Sequence, residues 1–172
     1  MKAALPFATL FVLALAGCDH PKPRPTAAPP PNLAAPTVKV APPASAGLPK
    51  RAEMAVISLD LINDAQDPLN RPAAIKAGVP VTFSGFGFDP VAKTAGKGLD
   101  IVVDGVAYGA AYGHERQDVA GYFETEAVIK TGFTATLPAS VNTPGPHKAI
   151  IRVVAADGAA YFDSVTYDYV AK

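Results

Sequence analysis

The chain has no tryptophan, two methionines and one cysteine among 172 residues. One cysteine cannot close a disulfide within its own chain, so the fold holds together without an internal staple. No apolar run reaches the about 20 residues that a helix needs to cross a hydrocarbon core; the longest, Ala3 to Ala16, stops short. Formal charge is balanced, fifteen basic residues against fifteen acidic. No basic stripe interrupts that balance, so nucleic acid is not an expected partner. The three histidines, His20, His114 and His147, lie far apart, and there is no His-x-x-x-His pair and no Asp-x-Asp-x-Asp-Gly loop. Neither zinc nor calcium coordination is expected from such spacing, and no cofactor motif takes its place.

What is present begins at the N-terminus. Lys2 precedes the apolar run, and the small residues Ala16 and Gly17 precede Cys18. That is the layout of a cleaved export signal rather than a membrane span. Leu15-Ala16-Gly17-Cys18 resembles the lipobox of bacterial lipoproteins, a likeness confined to roughly the first 19 residues. The resemblance implies a lipid-modified Cys18 at the mature N-terminus. It implies three acyl chains, hence an effectively permanent membrane anchor in the bacterial cell envelope, where one chain alone would hold only reversibly. Asp19 resembles the sorting signal that retains some enteric lipoproteins in the inner membrane; the choice between inner and outer membrane stays open.

Between Asp19 and Lys50, ten of the chain's eighteen prolines fall within 32 residues. Proline removes backbone donors and fixes φ, so this stretch is expected to be a disordered Pro/Ala-rich tether, reaching on the order of 100 Å if fully extended. From Arg51 to Lys172 the composition changes, with ten basic and fourteen acidic residues, a net charge of −4. These residues have the length of one domain.

Within that domain the apolar residues alternate. Ala55 to Ile62 sets Ile57, Leu59 and Leu61 on one face; Val79 to Asp89 reads as a second strand in which Gly85 and Gly87 allow a bulge or a close backbone approach. Strand-like runs flank Asp104-Gly105, a hairpin signal because a type I′ turn needs positive φ at both central positions. Gly132 to Pro138, His147 to Asp157 and Ala159 to Val170 supply further strands, with Asp157-Gly158 as a second hairpin turn. Only Arg116 to Val128 departs from the pattern, where Asp118 stands in position to cap a short helical turn. An all-β sandwich of about seven strands with one short helical segment is predicted.

The segments Gly85–Pro90, Val102–Gly105, Tyr112–Phe123, Gly132-Phe133 and Pro144–Gly158 resemble, in order and spacing, an immunoglobulin-like β-sandwich module of bacterial secreted and surface proteins. The likeness spans about 75 residues, and the Arg116-x-Asp118-Val119-Ala120 element is its most specific part. Gln117 and Pro146 depart from the pattern. The resemblance implies fold and location and carries no catalytic activity.

Two candidate sites follow from the residues themselves. His114, Glu115 and Asp118 could serve as a base and two carboxylates in a hydrolase acting on cell-wall material, but no nucleophile completes a triad. Alternatively, Arg116 and Asp118 fix their loop on the sandwich, with Arg116 paired to a carboxylate or carbonyl of an adjoining strand. Tyr161, Tyr167 and Tyr169 share one parity in the last strand, beside Asp163. Their face either packs as core or, open to solvent, forms a platform for a sugar ring or a protein partner. The function expected is a lipid-anchored, non-catalytic envelope domain that binds a protein or glycan partner. The alternatives are a structural or assembly subunit of an envelope or secretion complex and, third, the hydrolase.

Overall fold

The computed structural model describes residues 38–172. Cys18, Asp19 and the proline-rich residues before position 38 lie outside the described residues. Among the described residues, ten strands form two five-stranded sheets, with one short helix. The first sheet has the order β2 (Ala65–Gln66), β1 (Val56–Ile62), β4 (Val81–Phe88), β8 (Gly132–Leu137), β7 (Ala111–His114). The second has the order β3 (Ala73–Ile75), β10 (Tyr161–Ala171), β9 (Gly145–Val154), β5 (Gly98–Val103), β6 (Val106–Gly109). Helix α1 (Gln117–Tyr122) and a 3₁₀ turn at Glu126–Val128 lie between β7 and β8. Strands β2 and β3, of two and three residues, are too short to leave a periodic signal in the sequence.

Alternation builds the core. Val81 and Phe83 of β4, Phe133 and Leu137 of β8, Leu99 and Ile101 of β5, and Ile151 and Val153 of β9 are buried in one cluster shared by both sheets. Phe83 meets Tyr169 of the opposite sheet edge-to-face, with ring centroids 5.9 Å apart. Each such large apolar side chain contributes about 1.5–3 kcal/mol by its burial. Gly85 and Gly87 serve close approach: a Cβ at Gly85 would collide with the Ser58 carbonyl oxygen, and one at Gly87 with Ile57. At the β5–β6 hairpin, Asp104 and Gly105 both take positive φ, 49° and 86°, as a type I′ turn requires.

Three strands carry one residue more than their partners, and each irregularity changes which side chains point inward. In β1 the register shifts between Leu59 and Leu61. Leu59 and Ile62 are therefore the buried residues, and Leu61 leaves the face predicted for it. In β7 the shift falls at Gly113, whose φ is 100°. In β10 it falls between Asp163 and Thr166, so Phe162 is buried before the shift and Tyr167 and Tyr169 after it.

The folded body starts earlier than Arg51. Ala41 bridges to Gly109 and Lys50 to Tyr161. The backbone N–H groups of Ala44 and Ser45 donate to the Asp100 carboxylate at 2.7 and 2.8 Å. Tyr161 donates to the Pro49 carbonyl at 3.0 Å, and the Arg51 N–H donates to the Tyr161 carbonyl at 2.9 Å. Residues 41–50, read from composition as tether, are thus laid along the second sheet. Proline is tolerated at such positions because the bonds are made by the carbonyls and by the residues between prolines. Asp100 is fully buried because this segment covers it and supplies its donors.

Candidate binding surface

The quartet from the last strand does not assemble into an open platform. The register shift in β10 puts Tyr161 and the later tyrosines on different faces. Tyr167 and Tyr169 lie in the core, 3% and 0% exposed, and burial raises the pKa of both hydroxyls. Asp163 is buried as well, accepting from Arg152 Nε at 2.7 Å and facing Lys50 Nζ at 3.1 Å. Tyr161 remains partly exposed, with the Arg152 guanidinium 3.8 Å from its ring centroid. The alternation of a regular strand predicts one shared face; the extra residue removes it.

The loop from His114 to Asp118 is organised by Arg116. Its Nε and Nη2 donate to the two oxygens of Asp118 at 2.9 and 2.7 Å, a two-point pairing. Its Nη1 donates to Asp60 at 2.9 Å, and Asp60 sits at the irregularity of β1. The guanidinium also lies 5.3 Å from the Phe86 ring centroid. Asp118 does not cap the helix. The cap position is Arg116, which has no side-chain cap bond, and Asp118 lies inside the first turn. The bonds from Arg116 hold the Asp118 carboxylate near pKa 2, and the same pairing raises Arg116 above its ordinary value. His114 and Glu115 are exposed. General acid catalysis wants a carboxylic acid poised near working pH; Asp118 is shifted the opposite way.

Arg116 borders an aromatic cluster on the outer face of the first sheet. Phe86 and Phe88 of β4 point outward, with ring centroids 6.4 Å apart. Phe88, Val119 of α1 and Val128 of the 3₁₀ turn form a small buried cluster, joined at its margin by Val56 and Phe86. Phe123, just after α1, meets Phe88 at 5.0 Å and Phe86 at 6.3 Å, both edge-to-face. Tyr122 meets Phe123 at 5.0 Å and is 81% exposed, while Phe123 is 37% exposed. A six-residue helix can turn one face to the sheet; two adjacent rings at its end, about 100° apart around the axis, cannot both be covered. Two grooves flank Phe123, of about 340 and 410 Å³. Val56, Phe88, Pro90 and Lys93 line the first, and Phe86, Asp118, Val119 and Tyr122 the second.

These aromatic residues were not among the sequence candidates. The available signal was the pair Tyr122-Phe123 at the end of a segment too short to bury both rings.

Asp89 and Asp104 are occupied by donors from the chain itself. Asp89 is buried and accepts from the N–H groups of Val91, Ala92 and Ala156 at 2.8–2.9 Å. Asp104 accepts from the Lys148 N–H at 2.9 Å and faces His147 Nδ1 at 2.6 Å. His147 Nε2 lies 2.7 Å from the Thr143 carbonyl, so both ring nitrogens face acceptors. Burial alone would lower the pKa of His147. The Thr143 carbonyl and Asp104 outweigh it, and the net shift is upward. Among the described residues, no group of three or more His, Cys, Asp or Glu side chains is arranged to hold a metal ion. Comparison with protein-family models, with curated proteins and with solved structures returned no match.

Proposed function

We propose that this chain is a non-catalytic, lipid-anchored domain of the bacterial cell envelope that binds a protein or glycan partner through the surface around Tyr122 and Phe123. The observation carrying this reading is the open aromatic cluster with a groove on each side of Phe123. Large exposed apolar patches mark interaction sites, and Tyr122 is the most exposed large apolar side chain of the described residues. The lipobox-like Leu15-Ala16-Gly17-Cys18 supplies the anchor in this reading, and the two-sheet arrangement accords with an immunoglobulin-like module. A structural or assembly subunit is the second reading, because a surface buried permanently in a complex would look equally bare in the isolated chain.

A photo-crosslinking residue placed at position 122 in intact cells should give a discrete adduct, and the same residue at Val106, also exposed but on β6, should not. Adducts of equal yield from both positions would remove the binding role of this surface. Partner that exchanges on washing supports a binding module, and a fixed stoichiometric complex from solubilised membranes supports the subunit. Cys18→Ser should leave the protein without lipid; normal lipidation of that variant would sink the anchor.

A further inference from the structure

The two grooves share Phe123 as a common wall. We propose that they receive an extended, basic segment of a partner polypeptide, with one apolar side chain seated on each side of Phe123. The inference rests on the binding role proposed above and names the class of partner.

Lining, hydrogen bonding and charge each select this occupant. Val56, Phe88 and Pro90 on one side, and Phe86, Val119 and Tyr122 on the other, offer apolar contact. Two of the polar groups beside them already bond within the chain. Both Asp118 oxygens accept from Arg116, and the Thr125 hydroxyl accepts from the Ala127 N–H. Recognition of a sugar ring needs fixed donors and acceptors that converge on its hydroxyls, and these grooves present few. An apolar anchor needs only the rings.

The charge at the rim then favours a cationic partner. Arg116 brings one positive charge against two carboxylates, Asp60 and Asp118, so the triad is negative as a whole. Glu124 and Glu126 flank Thr125 of the first groove in the chain, are exposed, and make no ion pair among the described residues. Among the described residues, Lys93 is the one basic residue that lines either groove. A rim of this sign accelerates encounter with a basic segment and repels an acidic one.

The test titrates the full chain with a synthetic peptide carrying two leucines between arginines, following the backbone amide signals of residues 118–128. Saturable shifts confined to that stretch are expected, weakening as ionic strength rises. Tyr122→Ala should reduce affinity about tenfold. Its exposed ring makes that variant safe for folding, whereas Phe123→Ser also uncovers Phe88. The double variant Glu124→Gln, Glu126→Gln should lose about fivefold while keeping the apolar contacts. Equal binding by a glutamate-flanked peptide would overturn the proposal, as would shifts caused by oligomers of N-acetylglucosamine and not by the basic peptide. Crosslinking from position 122 without any binding of the basic peptide would defeat this inference and leave the binding role standing. Failure of both would remove the two together.

Discussion

The core between the sheets and the cluster beneath α1 are built from the same kinds of residue, yet one is closed and the other is not. Between the sheets, Phe83, Phe133, Phe162 and Tyr169 are fully buried, with Phe83 set edge-to-face on Tyr169. Beneath α1, Phe86 and Phe88 stand on the outer face of a sheet whose cover is six helical residues and a short turn. The difference is one of layers. A second sheet covers a whole face, and a single helical turn and a half covers one cluster and leaves its margin wet. A closed core can only stabilise the fold; a partly covered one also keeps apolar area available to another molecule.

Substitutions should separate the two regions by magnitude. Phe83→Ala removes a fully buried ring at the centre of the inter-sheet core and is expected to cost about 3–5 kcal/mol in chemical unfolding. A loss no larger than that of a surface change would place the stabilising core elsewhere. Asp100→Ala tests whether residues 41–50 belong to the same body. It leaves the Ala44 and Ser45 N–H groups without their acceptor, so about 2–4 kcal/mol should be lost. Hydrogen exchange should then quicken at both amides, and unchanged protection there would argue that the segment is held by other contacts.

Arg116→Ala probes the outer cluster. It removes the paired charges and the stacking on Phe86 at a partly exposed site, for which about 1–2 kcal/mol is expected. A cost as large as that of Phe83→Ala would show the two regions to be one cooperative unit.

The smallest effect comes from pH, and it should touch only one region. His147 has a raised pKa in the folded chain, so its contribution is complete below the unfolded value of 6.5 and is lost as pH rises through the folded one. Asp104, its partner, is lowered below 3.8: burial opposes the shift, and the Lys148 N–H and His147 overcome it. Its share is therefore lost as pH falls through that lowered value. Amides at the Asp104 turn should lose protection between neutral and mildly alkaline pH, while those of α1 stay unchanged. Parallel changes in α1 would tie the outer cluster to the far end of the sandwich.

The two-sheet plan was readable because alternation and turn chemistry are local. Asp104-Gly105 announces its turn by the conformations its two residues must take, and β4, β5, β8, β9 and β10 follow their runs of apolar residues. What could not be read depends on residues distant in the chain. Asp100 is an acidic residue in an apolar run, and only the segment folded over it, 55 positions away at Ser45, makes its burial tolerable. The candidate platform of tyrosines failed because an extra residue in β10 exists only relative to its partner β9. The aromatic surface escaped because exposure is a property of how much neighbouring chain is left to cover a ring.

The irregularity in β10 also constrains how this sequence can change length. A strand with one surplus residue behaves like a ladder with an added rung on one side: everything above it is displaced by half a repeat. Deleting a single residue between Asp163 and Thr166 would remove the surplus and leave an even ladder, with Phe162 still opposite Val153, Tyr167 still opposite Ala149 and both facing the core. Deleting two would force a choice: either Phe162 turns to solvent, or Tyr167, Tyr169 and Ala171 exchange places with Thr166, Asp168 and Val170. A chain shortened by one residue at this point should therefore keep its core, and one shortened by two should not.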